Sequence, residues 1–302
     1  MRQIYQGKIT WIDITSPTDD DLNYLNKHYH FHPLILQELK TLSQRNKAAL
    51  YDNYLFLITH FPIWDPQKQS SQPWELDVII SQKLVVTVSY SESSEAHLEL
   101  LEAVYQKDFE EEYLKESFKL FYFIIEHYLD FSLRQIAHIQ EKINNLEEQI
   151  FSSQQEKAIP LISFVKRDIL NFRRIFKYLE EDLKSLARKG LGLLGEEAKV
   201  YFDDLLGDSL RIENLIDNFK DTIESLENTN NSLIDHKINV LTRIYTTISF
   251  ITLPTILILS IYQTNTHALP FLGYRYDTLI VLLIAFIPSF LIYLYLKQKK
   301  LL

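Results

Sequence analysis

The chain contains no cysteine, which removes disulfides, zinc–thiolate sites, iron–sulfur clusters and thiol nucleophiles in one step. Basic residues are the minority charge: 31 Lys and Arg stand against 40 Asp and Glu, a net charge of -9. A nucleic-acid partner needs clustered Lys and Arg, so the balance argues against one; an acidic surface suits cations better. The first residues, Met1 to Thr10, lack the charged-then-apolar pattern of a secretory signal. Charge itself is missing from two stretches, Ile244 to Tyr274 (with His267 counted neutral) and Thr278 to Leu296. The first 240 residues are densely charged, so the mean hydropathy of -0.11 averages over a bipartite chain.

What is present follows the same division. Residues 1 to about 105 read as mixed α/β, with strand-like runs at Ile9 to Ile14, Tyr54 to His60, Glu75 to Ile80 and Leu84 to Ser89. Ser16-Pro17-Thr18 followed by Asp19, Asp20 and Asp21 marks a helix start, with acidic residues at the positive end of the dipole; His32-Pro33 opens the next helix. From about 111 to 189 the pattern changes to long helices. Ile136, Ile139, Ile143, Leu146 and Ile150 keep helical spacing up to a polar break at Ser152 to Gln155. A second helix, roughly Ile159 to Arg188, runs back as an antiparallel hairpin, and Gly190 to Gly195 is read as the hinge that ends it.

After Glu196 no proline occurs until Pro254, and Leu205, Ile212, Phe219, Leu226, Leu233 and Val240 recur every seventh residue. Such heptads predict one long helix packed along a seam. Continued to Ile261 it has 66 residues, on the order of 100 Å. Spanning hydrocarbon takes about 20 apolar residues, which Ile244 to Tyr262 and Thr278 to Leu296 supply. Lys237 and Arg243 precede the first span and Lys297, Lys299 and Lys300 follow the second, while the connecting loop holds Arg275 alone. The positive-inside bias places both termini in the cytoplasm of a multi-pass plasma-membrane protein.

The ordered set Trp11-Ile12-Asp13-Ile14, Phe31-His32-Pro33-Leu34, Tyr51-Asp52-Asn53-Tyr54-Leu55-Phe56, Leu253-Pro254 and Lys297 to Lys300 resembles the CorA family of magnesium transporters over nearly the whole chain. The family's Tyr-Gly-Met-Asn signature has its counterpart in Tyr262-Gln263-Thr264-Asn265. The tyrosine and asparagine match, and the central glycine and methionine do not. The loop Thr266-His267-Ala268-Leu269-Pro270 also lacks the acidic residues usual in the family.

The resemblance implies an α/β N-terminal cytoplasmic domain (1–105), a cytoplasmic helical hairpin (106–195), a stalk helix continuing into the first transmembrane helix (196–262), an external loop (263–277) and a second transmembrane helix with a basic tail (278–302). It implies a homopentamer around a pore for divalent cations, with Mg2+ as both transported and regulatory ion and no other cofactor. Asn265 would form the outer pore mouth; Asn239, Thr242, Tyr245, Ser249, Leu253, Ile256 and Ser260 would line the pore; Asp65 and Asp204 would form an ion-sensing pair across subunit interfaces. The lining residues are spaced by three and four, as one helical face requires. Magnesium sheds water reluctantly, so neutral carbonyls at the mouth suit passage, and Leu253 with Ile256 suits a dewetting gate.

Plainer readings accompany these. Asn265 also suits a helix end, and Asp65 and Asp204 suit solvated positions. His28, His30 and His32 alternate, a spacing that scatters them over a helix and favours structural roles above a metal cluster. Gly190, Gly192 and Gly195 spell a dinucleotide-like motif but follow a helix. Glu126, His127 and Asp130, within one turn, read as a solvated face rather than a catalytic group. Besides magnesium uptake, the altered signature leaves open zinc, cobalt or nickel transport and a non-conducting, membrane-anchored structural or sensory role. No enzyme nucleophile, phosphate loop or metal-ligand set stands out.

Overall fold

A computed structural model describes residues 1–43, 45–68, 70–91, 94–105, 109–152, 155–264, 270–271, 273 and 275–299. The chain divides into two compact units, Met1–Glu227 and Asn228–Leu302.

In the first unit six strands form one sheet: β1 (Arg2–Gln6), β2 (Thr10–Thr15), β3 (Lys47–Leu50), β4 (Leu55–Asp65), β5 (Ser70–Ile80) and β6 (Leu84–Ser89), in the order β1-β2-β6-β5-β4-β3. Only β2 and β6 run parallel. All six residues of β6 are buried, which explains why its sequence reads as a continuous apolar run and not an alternation. β4 beyond Ile58 and β5 before Leu76 pair only with each other, and there Pro62 sits opposite Pro73. Proline cannot donate to a ladder and is tolerated where no third strand needs the hydrogen bond.

One face of the sheet packs on α1 (Asp19–Tyr29) and α2 (Pro33–Glu38) through Ile12, Ile14, Leu25, Ile35, Phe56, Ile58, Val86 and Val88. α1 starts at a capping box: the Thr18 hydroxyl accepts from the Asp21 amide, and Asp21 accepts from the Thr18 amide. The three histidines are structural. The His28 ring meets the Tyr24 carbonyl, His30 closes α1 in a left-handed conformation (φ 54°), and His32 accepts from the Leu34 amide to cap α2.

On the other face, α3 (Glu95–Ala103) and α5 (Ser117–Phe151) hang from the sheet by a buried polar chain; α4 (Phe109–Tyr113) lies between them in sequence. Trp11 Nε1 donates to Thr87 Oγ1 (2.9 Å), which donates to Asp13 Oδ1 (2.5 Å). The second Asp13 oxygen meets His97 Nε2 at 3.2 Å, and His97 Nδ1 meets the Tyr128 hydroxyl at 2.8 Å. All five side chains are buried and each has a partner, which is what makes such a chain affordable in an apolar interior.

α5 and α6 (Gln155–Phe176) form the expected hairpin, with Ile136, Ile139, Ile143, Leu146 and Ile150 buried. The returning arm is not one helix to Arg188: it breaks at Lys177–Tyr178, and α7 (Leu179–Leu194) continues. Gly190 and Gly192 lie inside α7, so the hinge reading of Gly190 to Gly195 is corrected: only Gly195, at φ 94°, ends the helix. Gly190 serves packing, since a Cβ there would lie 3.0 Å from Leu55 Cδ1 and 3.6 Å from Phe202 Cζ. α8 (Ala198–Gln263) is a single helix of 66 residues, as the heptads predict. Leu205, Ile212, Phe219 and Leu226 are buried in the first unit, whereas Leu233 and Val240, in the second, are only half-buried.

Gly190→Val should lower stability by roughly 1–3 kcal/mol, because a branched side chain has no room against β4; Gly190→Ala should cost less. Thermal unfolding of the two variants would check this, and equal stability of wild type and Gly190→Val would remove the packing account.

Candidate ion pathway and carboxylate cluster

In the second unit α8 runs through Ile244 to Gln263 and α9 covers Asp277–Gln298. Both are long and apolar enough to cross a membrane. Each carries an internal proline, Pro254 and Pro288, followed by a hydroxyl residue, Thr255 and Ser289. These hydroxyls lie 2.7 Å apart, and Thr255 Oγ1 donates to the Ala285 carbonyl at 3.1 Å. Ser289 therefore donates to Thr255, and both protons are used. Val281, Ala285 and Ser289, four residues apart, are the buried positions of α9. Small residues let the backbones approach, and hydroxyls then bond across the gap, which is how helices associate where lipid removes the hydrophobic drive.

The seven residues expected to line a pore lie away from this contact. Asn239, Thr242, Tyr245, Ser249, Leu253, Ile256 and Ser260 are all exposed, with Tyr245 at 67% and Leu253 at 54%. Ile256 stands at the margin, since it also borders an apolar groove of about 700 Å³ formed with Leu283, Phe286 and Phe290 of α9. Ser249 donates back to the Tyr245 carbonyl (2.9 Å), which occupies its proton and leaves oxygen lone pairs outward. At the C-terminal end of α8 the Thr264 amide and hydroxyl both return to the Ile261 carbonyl, and the Tyr262 hydroxyl donates to the Pro270 carbonyl at 3.2 Å. Asn265, the expected mouth residue, lies outside the described residues.

The expected sensing pair belongs to the first unit. Asp65 ends β4, where its Oδ1 accepts from the amides of Gln67 (2.9 Å) and Lys68 (3.2 Å), and Lys68 Nζ stands 3.8 Å from Oδ2. It thereby holds the turn at the tip of the β4–β5 hairpin. Asp204, on α8, accepts from the Tyr122 hydroxyl at 2.7 Å, and Glu126 Oε1 lies 2.5 Å from the same hydroxyl. Among the described residues Asp65 and Asp204 do not touch within one chain.

The sequence reading missed what surrounds Asp204. Glu126 and Asp130 on α5 and Asp208 on α8 face it, so Glu126 and Asp130 are not merely a solvated face. Burial, with the charges of Asp130, Asp204 and Asp208, pushes the Glu126 carboxyl up; burial, then Asp204 and Asp130, does the same for Asp208. Burial and the two acceptors Glu126 and Asp204 raise Tyr122. Acidic residues at i, i+4 on both helices were the available signal. Even so, no group of three or more His, Cys, Asp or Glu side chains among the described residues is arranged to hold a metal ion.

An α/β unit leads into a 66-residue helix whose end is apolar and a second apolar helix, the two long and apolar enough to cross a membrane. Residues 6–298 match the model of the family described as "CorA-like Mg2+ transporter protein", and the chain belongs to that family of divalent-cation transporters. It is 23% identical over 297 residues to the cobalt/magnesium transport protein CorA of Thermotoga maritima, covering 96% of this chain and 83% of that one. Its fold matches the complete CorA magnesium transporter of Methanocaldococcus jannaschii with a TM-score of 0.79 at 19% identity, over 96% of this chain and 90% of that one. The ZntB cytoplasmic domain of Vibrio parahaemolyticus matches at a TM-score of 0.51 and 15% identity, over 77% and 90%.

Two outcomes follow. Thr255→Ala or Ser289→Ala should weaken the α8–α9 contact by about 0.6–1.7 kcal/mol, with the double mutant non-additive, in a thermodynamic cycle on protein in lipid; additivity would contradict the shared bond. Glu126 has a folded-state pKa raised above its ordinary 4.5, so its contribution to stability is full below that value and is lost as pH rises through the folded one. Glu126→Gln should flatten that part of the stability–pH curve in the mildly acidic range, and an unchanged curve would contradict the cluster's electrostatics.

Proposed function

We propose that the chain conducts divalent cations, magnesium foremost, inward across the plasma membrane through a pore enclosed by α8 of several identical copies, five by the family resemblance. The observation that carries this is the uncovered α8 face: an amide, hydroxyls and a phenol at helical spacing, none of them engaged by α9. Asn239 and Thr242 stand just before the apolar span and Tyr245, Ser249 and Ser260 within it, and a second copy or water is the natural partner of such a face.

In this reading Leu253 and Ile256 form a dry constriction, Asn239 and Thr242 a polar exit on the cytoplasmic side, and Asn265 a ring of neutral carbonyl oxygens at the outer mouth within an external loop, 263–277. Neutral oxygens grip a hydrated Mg2+ weakly enough to release it, where carboxylates would hold it. The membrane potential drives entry with about 4.6 kcal/mol per 100 mV for a divalent ion, twice the single-charge figure.

Regulation follows from the carboxylates. Asp65 of one copy approaches the Asp204 cluster of the next, and a cation between them offsets their repulsion. That Asp204, Glu126, Asp130 and Asp208 crowd together without making a complete ligand set in one chain supports a site completed by a neighbour. A second reading, transport of zinc, cobalt or nickel, rests on Gln263-Thr264 in the signature, and the likeness to the ZntB domain is consistent with it.

Flux into liposomes reconstituted with the full chain, across a panel of divalent ions, tests both. Magnesium flux that Asn265→Ala abolishes supports the first reading; zinc flux without magnesium replaces the ion; absence of flux with every ion removes conduction. The Asp65→Ala, Asp204→Ala double variant should keep flux but lose inhibition by magnesium on the cytoplasmic side, and unchanged inhibition would remove the sensing pair.

A further inference from the structure

A second group of acids lies deep in the α/β sheet, away from the residues discussed above. Glu75 and Asp77 are two apart on β5 and therefore point to the same face; their relative exposures are 2% and 1%. Each carboxyl has one oxygen held by a donor. The Ser43 amide donates to Glu75 Oε2 at 2.7 Å, and the Tyr90 hydroxyl donates to Asp77 Oδ2 at 2.7 Å. The other two oxygens, Glu75 Oε1 and Asp77 Oδ1, are buried and have no donor. Two carboxylates buried on one face, each with an oxygen lacking a donor, disfavour a second negative charge on Asp77. A proton on Asp77 removes it.

The surroundings agree with a single negative charge on the pair. His60, the cross-strand partner of Glu75, directs Nδ1 at Asn46 Oδ1 (2.7 Å) and Nε2 at the Ser43 carbonyl (3.1 Å) and Glu75 Oε2 (3.4 Å). Both ring nitrogens face oxygens of neighbouring groups. From α2, Glu38 adds negative charge but is itself paired with Lys47 of β3 at 2.8 Å. From α7, Asp182 lies near Asn46 and His60, and burial lifts its carboxyl to about 6. Arg174 of α6 and Tyr178 line the adjoining cavity of about 650 Å³, whose inner wall is Glu75 and His60. Burial first, and then the Glu75 charge, push the Asp77 carboxyl well above its ordinary 3.8.

We propose that Asp77, buried on one face with Glu75, is a proton-binding site of the α/β domain, its carboxyl holding a proton that is released as the pH rises. A metal ion is the poorer occupant. Magnesium requires about six oxygens in octahedral array, whereas the pair offers two free ones and is ringed by donors. Loss of the proton sets two bare carboxylates against each other in the strand that pairs with β4, whose far end carries the Asp65 turn. The inference stands on the geometry of the sheet and does not depend on what the chain transports.

Two measurements on the purified full chain test it. Infrared spectra at neutral pH should contain a protonated-carboxyl C=O band that Asp77→Asn removes. Thermal unfolding should show a wild-type Tm that falls as pH rises above the ordinary aspartate range, while Asp77→Asn, whose amide donates in place of the proton, should lose that fall and match or exceed the wild type at the alkaline end. The sign follows from the raised carboxyl: its stabilisation is full below the ordinary aspartate value and is lost as pH climbs through the folded one. Glu75→Gln gives the same test from the other partner. Parallel Tm curves with no band removed overturn the proposal. Magnesium that raises the Tm of the wild type more than that of Asp77→Asn also overturns it, in favour of a metal.

Discussion

A helix crossing hydrocarbon satisfies its own backbone but not the polar side chains on its surface, and α8 brings a full face of them. Tyr245, Ser249 and Ser260 share that face with Leu253 in the apolar span, Asn239 and Thr242 continue it just before the span, and these positions stay exposed beside α9. Where α9 does pack, polarity is fully consumed: Ser289 donates to Thr255 and Thr255 to Ala285. The contrast within one pair of helices separates a finished contact from an unfinished one. Whatever completes the second has to bring water or polar groups to it.

The α/β domain handles charge under the opposite condition, with water shut out. Asp13 is matched on both oxygens, by Thr87 and by His97, and so holds α3 and α5 to the sheet. Glu75 and Asp77 are matched on only one oxygen each, so the same interior that stabilises the first arrangement raises the proton affinity of the second. The Glu126–Asp204 group is a third case. It lies at the surface between α5 and α8, where solvent moderates the repulsion. Three sets of carboxylates thus differ in their surroundings: a closed hydrogen-bond network around Asp13, a dry pair with one oxygen each left without a donor, and a cluster open to solvent.

Much of this was legible in the sequence because it rests on local or periodic signals. Thr18 with Asp21, and His32 with Pro33, mark helix starts that the structure contains, and the heptads from Leu205 foretell the unbroken α8. β1 and β3 were missed since both are short sheet edges with half-exposed residues and no apolar run. The break between α6 and α7 escaped because Lys177 and Tyr178 carry no turn residue, and glycines inside α7 looked like a hinge when Gly190 serves close approach to Leu55. The partners of Asp204 were hidden for a different reason. Glu126 and Asp204 are 78 positions apart (204 less 126), and nothing in a sequence says which faces of two helices will meet.

The absence of cysteine allows the central claim to be tested without background labelling. Single substitutions Thr242→Cys, Ser249→Cys, Leu253→Cys and Ser260→Cys, compared with Ile251→Cys and Ile258→Cys at half-buried positions of the same helix, can be exposed to a water-soluble thiol reagent in membranes. A water-lined route predicts that the first four label, with magnesium slowing the reaction, and that the last two stay protected. Equal labelling at all six positions, or none at the first four, would contradict it.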